Sequence, residues 1–251
     1  MNDLDKLHHI NFSPKIRFSF FHTLVHWLWR LVAIFLGISM LTVLLLRWIN
    51  PPTTSFMLQR KFIAWETGKE PFKIHYQWVD WNNISSHLKM AAIASEDQRF
   101  AYHWGFDVNS IEKAVNEYQE GQDLRGASTI TQQVAKNLFL WQDHSFIRKG
   151  VEAYFAILLE LCWSKQRILE VYLNIAEFGD GIYGAQMAAR QYFHTTAAHL
   201  SKTQSALMVT ALPAPQRYNL AHPSSYMYRR RRWVLRYMDF LGESYYLQKL
   251  K

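Results

Sequence analysis

Two glutamates, Glu96 and Glu152, bracket a segment of the chain that is rich in hydroxyl, amide and cationic side chains. Paired carboxylates recur in sugar chemistry because one group takes or gives a proton while the other handles opposite charge. Cations placed between them suit an anionic leaving group. This set of side chains therefore predicts acid–base catalysis on a neutral acceptor beside an anionic leaving group. The polar residues of this segment that are candidates for the site are Asp97, His103, Arg125, Ser128, Thr129, Gln133, Lys136, Asn137, Arg148 and Lys149.

A predicted helix delivers the first glutamate. From Asn83 or Ser85 onward, apolar and small residues recur at helical spacing, namely Leu88, Ala91, Ala92 and Ser95. Glu96 then lies at or near the C-terminal end of that helix. Because this end carries partial negative charge, we expect the pKa of the Glu96 carboxyl group to be raised, which helps a base.

A second predicted helix begins after Thr129, which forms a T-x-x-Q capping box with Gln132, and runs to about Leu140. Its start offers free backbone N–H groups beside a hydroxyl cap and Lys136, which is a plausible phosphate cradle. Ser128 and Thr129 are nucleophiles in principle, but helix caps are the more frequent use of such residues. The residues expected to face the core are Ile130, Val134 and Leu138.

A third predicted helix begins near Ser145 and places Arg148 and Lys149 one turn before Glu152. Taken alone, these three charges favour a surface salt-bridge cluster over a site. The expected apolar stripe of this helix consists of Ile147, Val151, Phe155 and Leu158. Its tail carries Cys162 in an apolar run, where a buried, inert thiol is expected. One cysteine excludes an intrachain disulfide framework and any multi-cysteine metal site.

The remainder of the chain predicts a mainly α fold. Further helices are expected over Lys165–Asn174, in an alanine-rich segment ending near Phe193, after the Ser201 capping box, and over Ser224–Leu241 with Gly242 as C-cap. Gly179-Asp180-Gly181 predicts a turn. The one clear strand signal is the alternation from Phe72 to Trp78.

The N-terminal part predicts a membrane anchor. Residues 1–23 are polar to mixed, 24–48 are strongly apolar with no charge between Leu31 and Leu46, 49–57 form a Pro-containing linker, and 58–251 form the main domain. A signal peptide is the alternative, but no small-residue cleavage site follows. Four Lys or Arg, of which Arg30 is the last, precede the uncharged stretch, so the N-terminus should stay cytoplasmic.

Charge and composition limit the classes of partner that the protein is expected to bind. The formal net charge of +8 favours anionic partners, which include nucleic acid, membrane headgroups and phosphorylated substrates. The hydrophobic share of 49% leaves enough apolar residues for one sizeable domain after the anchor is removed. Because the anchor places the basic domain outside the cytoplasm, we expect no nucleic-acid partner.

Four motifs in chain order make the chain resemble the peptidoglycan glycosyltransferase family. Its first signature is similar to Glu96-Asp97-Gln98-Arg99-Phe100 with His103-Trp104-Gly105-Phe106-Asp107. Its second is similar to Gly126-Ala127-Ser128-Thr129-Ile130-Thr131-Gln132-Gln133 with Lys136-Asn137, although the family usually has Gly-Gly at 126–127. Its third and fourth are similar to Arg148-Lys149 with Glu152, and to Lys165 through Asn174. The segment Ile175–Gly181 looks most like the monofunctional biosynthetic branch, whose domain is shared with class A penicillin-binding proteins.

The resemblance implies a lysozyme-like helical domain with a small apolar jaw that dips into the bilayer. It implies polymerisation of lipid II into β-1,4-linked glycan strands with release of undecaprenyl diphosphate. Glu96 is then the general base and Glu152, with Arg148, Lys149 and Lys136, serves the leaving group. The residues implied to hold the donor or its loop are Asp97, Phe100, His103, Arg125, Ser128, Thr129, Gln133 and Asn137.

The same resemblance implies further partners and a location. No organic cofactor is expected, and a divalent cation, Mg²⁺ or Mn²⁺, is compatible with the diphosphate. Expected partners are lipid II, the growing lipid-linked strand and the membrane, with cell-division or elongation proteins as further candidates. The implied location is the bacterial inner membrane, single-pass, with the catalytic domain in the periplasm.

Two other functions stay open at this point. A membrane-anchored lysozyme-like hydrolase would cut glycan with the same two carboxylates. A non-catalytic scaffold would keep the fold and recruit cell-wall proteins. The basic residues between the glutamates favour transfer, because a diphosphate leaving group needs cations and a neutral glycosidic oxygen does not.

Overall fold

The computed structural model describes residues 14–68, 72–120, 128–143 and 145–250. The chain divides into two units, Met1–Leu45 and Leu46–Lys251. The described residues of the first unit all belong to the helix α1, which spans Pro14–Leu46. Within it, His22–Leu46 is long and apolar enough to cross a membrane by length and composition, with a mean hydropathy of 2.2. Its residues are mostly exposed, unlike those of a helix in a protein core.

The second unit is predominantly helical, as predicted. Most of the predicted helices begin within about two residues of the expected positions, because most begin at a Ser or Thr whose hydroxyl accepts a backbone N–H. The helix after Ser201 ends at Met208, earlier than the expected stop at Pro213. The helices are α2 (Ser55–Glu66), α3 (Ser86–Glu96), α4 (Val108–Gln119), α5 (Ile130–Phe139), α6 (Phe146–Cys162), α7 (Lys165–Ile175), α8 (Gly184–Phe193), α9 (Lys202–Met208), α10 (Ser225–Leu241) and α11 (Glu243–Gln248).

Three of these helices were not predicted. α2 occupies part of the expected linker and begins after Thr54, whose side chain accepts from the Met57 N–H. α4 begins after Asp107, which caps through Ser110 N–H. α11 follows Gly242, which ends α10 with a positive φ of 72°. Thr54 and Asp107 were the available signals, since both are residue types favoured as N-caps.

A small sheet replaces the single predicted strand. Only His75–Tyr76 of the alternating segment forms a strand (β1), and it pairs in parallel with β3 (Ile182–Tyr183). β3 also pairs in antiparallel fashion with β2 (Glu177–Gly179). The predicted turn at 179–181 joins β2 and β3, and the strand order is β1-β3-β2.

The core of the second unit surrounds α3. Every residue of α3 from Leu88 to Ala94 is buried, and this helix packs against α7, α9, α10 and α11. α5 packs against α6 and α7, and its predicted core residues Ile130, Val134 and Leu138 are all buried. Glu96 therefore lies at the end of a largely buried helix, close to α5.

Candidate active site

Glu96 is the last residue of α3, as predicted, and its carboxylate is partly buried. Oε1 accepts a hydrogen bond from Ser95 Oγ at 2.8 Å, and Oε2 accepts one from Gln133 Nε2 at 3.2 Å. Arg230 of α10 donates from Nη2 to the Ser95 carbonyl at 3.1 Å. Three elements therefore position this carboxylate: α3 itself, α5 and α10.

The environment of Glu96 raises the pKa of its carboxyl group above the ordinary value. Burial is the largest cause, since desolvation disfavours the charged form, and the neighbouring Asp97 adds to it. Hydrogen bonds from Ser95 and Gln133 and the charge of Arg230 act in the opposite direction. The predicted direction is confirmed, but its main cause is burial. A carboxylate with a raised pKa is a stronger base than an exposed one.

Gln133 connects Glu96 to a buried tyrosine. Tyr172, on α7, is 1% exposed and donates from its hydroxyl to Gln133 Oε1 at 3.1 Å. Gln133 thus accepts from Tyr172 with one end of its amide and donates to Glu96 with the other. Gln133 is among the residues predicted to hold the substrate, whereas Tyr172 was expected only as part of the fourth motif and its helix.

Asp97 and His103 lie beneath the site. Both are buried, and the His103 ring nitrogen Nε2 lies 2.8 Å from Asp97 Oδ1. Asp97 Oδ2 also accepts from the Ile130 N–H at 3.0 Å, at the start of α5. The His103 carbonyl accepts from Lys165 Nζ at 2.6 Å. Asp97 therefore holds the first motif against the second, and His103 joins it to Lys165 of the fourth.

Phe100 has no exposed surface. Lys165 Nζ lies 4.6 Å from the centre of its ring, and the ring also meets the His103 ring edge-on. The structure places Phe100 in the core, and its role in holding the substrate stays a prediction. The physical reason for its burial is its apolar ring, which the domain encloses at the turn after α3.

Thr129 caps α5 through the predicted capping box with Gln132, and its hydroxyl donates to the Gly105 carbonyl at 2.6 Å. It is 2% exposed, so it serves the fold of this helix start. Ser128 precedes it and is exposed, and its Oγ accepts from Lys149 Nζ at 3.4 Å. Of these two hydroxyls, the Ser128 hydroxyl faces the site.

Glu152 is 2% exposed and carries two ion pairs. Arg148 Nη1 lies 2.7 Å from Oε2, and Lys149 Nζ lies 2.5 Å from Oε1. A buried carboxylate held by two cations differs from the surface cluster that local spacing favours. The Nε of Arg148 is buried and has no hydrogen-bonding partner among the described residues.

The orientation of α6 differs from the predicted stripe. Phe155 and Leu158 are buried as expected, but Ile147 is 77% exposed, and Val151 is partly buried. The buried side of α6 therefore includes Glu152 and excludes Ile147. The spacing of hydrophobic residues does not predict this, because the burial of Glu152 depends on its ion pairs with Arg148 and Lys149.

Lys136 completes a group of three cations, Lys136, Arg148 and Lys149, which we call the cation cluster. The pKa of Lys136 is lowered, first by burial and then by the charges of Arg148 and Lys149, while Glu152 and Glu96 raise it. Its Nζ lies 5.5 Å from the centre of the Phe56 ring. Asn137, next along α5, is partly buried.

A cavity of about 380 Å³ contains the cation cluster. Glu96 is not in its lining and connects to it through Gln133, which is. Phe56 of α2 and Trp141, which sequence analysis did not select, form its apolar part. The lining residues are Phe56, Ser128, Gln132, Gln133, Lys136, Trp141, Gln142, Asp143, Arg148, Lys149 and Glu152. Arg125, also predicted for the site, lies outside the described residues.

The described residues do not supply a divalent-cation site on their own. No group of three or more His, Cys, Asp or Glu among them is arranged to hold a metal ion. Glu152, the carboxylate in the cavity wall nearest the cluster, is already paired with two cations. The divalent cation therefore stays a prediction, and no step below passes through it.

Comparison with known proteins agrees with this arrangement. The model of the family described as transglycosylase matches residues 65–239. A biosynthetic peptidoglycan transglycosylase of Stutzerimonas stutzeri (strain A1501) is 50% identical over 222 residues, which cover 88% of this chain and 91% of that protein. Proteins of the same name from Pseudomonas syringae pv. tomato and Pseudomonas putida (strain F1) are 50% and 49% identical, covering 84% and 91% of this chain and 89% and 96% of their own length. The chain belongs to the transglycosylase family.

Proposed function

We propose that this protein polymerises lipid II into β-1,4-linked glycan strands of peptidoglycan and releases undecaprenyl diphosphate. The single observation that carries the proposal is the connection, through Gln133, of a carboxylate with a raised pKa to a cavity lined by the cation cluster. A base for a sugar hydroxyl and an anion-binding cavity are the two parts that transfer from a sugar diphosphate requires. The names of the related proteins support the same reaction.

In this proposal Glu96 takes the proton from the 4-hydroxyl of the acceptor sugar. The oxygen attacks the anomeric carbon of the lipid-linked strand as the bond to diphosphate breaks, and the configuration inverts. The raised pKa of Glu96 suits this role, because the ideal pKa of a base lies close to the working pH.

The cation cluster receives the negative charge that develops on the departing diphosphate. Lys149 is partly exposed and faces Ser128, so both its charge and its hydrogen bonds are available to phosphate oxygens. Glu152 holds two of these cations in place before substrate arrives. Preorganised charge of this kind stabilises a transition state without reorganisation during the reaction.

The substrate is itself a lipid, which agrees with an N-terminal helix that fits a single-pass membrane anchor. We further propose that residues before this helix are cytoplasmic and that the catalytic domain is periplasmic in the inner membrane, because Lys and Arg are more numerous before the span.

The test is polymerisation of lipid II by the full-length protein and by Glu96→Gln. Loss of a general base should reduce the rate by about 10²- to 10⁴-fold. Glu243→Gln is the matched control, since Glu243 pairs with His87 at the opposite end of α3 and should keep the normal rate. An unchanged rate in Glu96→Gln would remove Glu96 as the base.

A second measurement separates transfer from hydrolysis. Purified protein incubated with isolated sacculi should leave them intact. Release of soluble muropeptides would show that the two carboxylates cut glycan and would overturn the proposal.

A further inference from the structure

We propose that Tyr172 is a positioning residue for Glu96 and acts through the side-chain amide of Gln133, a role that rests on the proposed function of Glu96 as the base. The three side chains come from α7, α5 and α3, and two hydrogen bonds join them, of 3.1 Å and 3.2 Å. Tyr172 is too deeply buried, at 1% exposure, to contact substrate.

The direction of the two hydrogen bonds gives Tyr172 its effect. A primary amide can present either its oxygen or its nitrogen to a neighbour. While the Tyr172 hydroxyl donates to Oε1 of Gln133, Nε2 points at Glu96 and donates to the carboxylate. In the reverse orientation Oε1 would face Glu96, which is acceptable only when Glu96 carries a proton.

Tyr172 therefore favours the ionised form of Glu96, the form that can accept a proton. Burial raises the pKa of Tyr172 well above its usual range, so the hydroxyl keeps its proton and stays a donor wherever the enzyme works. Replacement by phenylalanine keeps the ring and removes the hydroxyl donor. The Gln133 amide then lacks the hydrogen bond that fixes its orientation toward Glu96.

Several other groups also face Glu96, and they set the background for any pH effect. Ser95 donates from α3 and Gln133 from α5, the charge of Arg230 approaches from α10, and the Asp97 carboxylate follows in the chain. Lys136 of α5 is also within electrostatic range. Tyr172→Phe leaves all of these in place and alters the single contact through Gln133.

The experiment measures kcat and KM for lipid II polymerisation by the full-length protein between pH 4.5 and 9. For Tyr172→Phe we expect kcat on the acidic limb to fall by about 3- to 10-fold with KM unchanged. The acidic limb of the kcat profile should move about 0.5 to 1 pH unit upward, because a base that is harder to ionise requires a higher pH. An unmoved limb would overturn the proposal.

Gln133→Leu supplies the second arm. This variant removes both hydrogen bonds of the Gln133 amide, to Tyr172 and to Glu96. The acidic limb of its kcat profile should therefore move to higher pH even with Tyr172 intact. Adding Tyr172→Phe to Gln133→Leu should then move the limb no further. Equal shifts by Tyr172→Phe in both backgrounds would mean that Tyr172 acts independently of Gln133, and the proposal would fail. If Tyr172→Phe does not fold, an unmoved limb in Gln133→Leu overturns it alone.

Two controls separate this inference from the proposed function. Tyr183→Phe makes the same chemical change at a buried tyrosine of β3 and should leave kcat, KM and the pH profile unchanged. Glu96→Gln tests the base itself. If Glu96→Gln is inactive and the Tyr172 and Gln133 effects are additive, the positioning role fails while the proposed function stands.

Discussion

The carboxylate of Asp97 accepts a hydrogen bond from the backbone N–H of Ile130, with 3.0 Å between Oδ2 and N. Asp97 directly follows Glu96, and Ile130 is the first residue of α5, the helix that carries Gln133 and Lys136. The first N–H groups of a helix have no partner within it, and a negative charge there is favourable. This bond therefore ties the position of the base to the helix that forms one wall of the cavity.

Replacement of Asp97 by Asn should loosen that connection. The Asn side chain keeps its shape but loses the charge that serves both Ile130 N–H and the His103 ring. Since hydrogen bonds to charged groups contribute more than neutral ones, we expect the free energy of unfolding to fall by about 1 to 3 kcal/mol. Urea denaturation of the purified protein measures this, and polymerisation should weaken in parallel.

Asp239→Asn is the control for this change. Asp239 pairs with Lys202 on the surface, where its side chain is 68% exposed. Surface ion pairs contribute little, so the stability of this variant should stay within about 0.5 kcal/mol of the unmodified protein. An equal loss in both variants would contradict a special role for Asp97.

Glu96 should reduce the stability of the fold while it serves the site. Its folded-state pKa lies above the ordinary 4.5, mainly because of burial, so the folded protein binds the proton more tightly than the unfolded chain does. Folding is then favoured as pH falls through the raised pKa, and the ionised carboxylate disfavours folding above it. Glu96→Gln removes that charge and should be more stable than the unmodified protein at pH 8.

The difference should shrink on acidification and disappear below pH 4.5, where Glu96 is protonated in both folded and unfolded chains. Denaturant titrations at several pH values compare the two proteins directly. A constant difference across the range would mean that the substitution acts through packing and not through ionisation.

Local signals in the sequence predicted most of the helical framework. Ser85, Thr129, Ser145, Ser164 and Ser201 each precede a helix and cap it, so hydroxyl residues before periodic segments are reliable markers here. The sheet was less predictable, because its strands are two or three residues long and pair across the chain. Such pairing depends on tertiary contact and has no periodicity of its own.

The hydrogen bonds that position the site residues also could not be predicted from local sequence patterns. Tyr172 and Gln133 are 39 residues apart, and Arg230 and Ser95 are 135 apart. Neither pair can be inferred from spacing, since each contact exists only after the helices have packed. The burial of Glu152 could not be predicted either, although the sequence did place Arg148 and Lys149 within one helical turn of it.

Two glycines offer opposite predictions. At Gly184 φ is +80°, and an added Cβ would lie 2.4 Å from the Asn174 carbonyl oxygen. Asn174 is itself fixed, because its amide donates to the carbonyls of Val79 and Glu170. Gly184→Ala should therefore lower the free energy of unfolding by about 3 kcal/mol or more.

Gly150, by contrast, lies in the exposed part of α6, and an added Cβ would have no atom within 4 Å other than its chain neighbours and the backbone of its own helix. Alanine favours helices over glycine, so Gly150→Ala should raise the free energy of unfolding by about 0.5 to 1 kcal/mol. Thermal and urea unfolding of both variants test the pair, and destabilisation by Gly150→Ala would contradict the predicted open surface.

The cation cluster should bind inorganic diphosphate, which serves as a probe for the leaving group. Lys149→Met removes a partly exposed charge that contacts both Glu152 and Ser128, and we expect the dissociation constant to rise by about 5- to 10-fold. Lys202→Met, which removes a surface cation paired with Asp239, should leave binding unchanged. Isothermal titration calorimetry at two salt concentrations measures both, and affinity should fall as salt increases.

Glu152→Gln should change diphosphate binding in the other direction. The substitution removes a negative charge between Arg148 and Lys149, so an incoming anion meets a more positive cavity, and the dissociation constant should fall by a few-fold. Polymerisation should nevertheless drop by about 10-fold or more, because the two cations lose the carboxylate that preorganises them. Tighter diphosphate binding combined with slower polymerisation would show that the charge of the cavity sets the affinity, while the positions of Arg148 and Lys149 set the rate. Weaker diphosphate binding by Glu152→Gln would show instead that Glu152 is needed to hold the cation cluster in position.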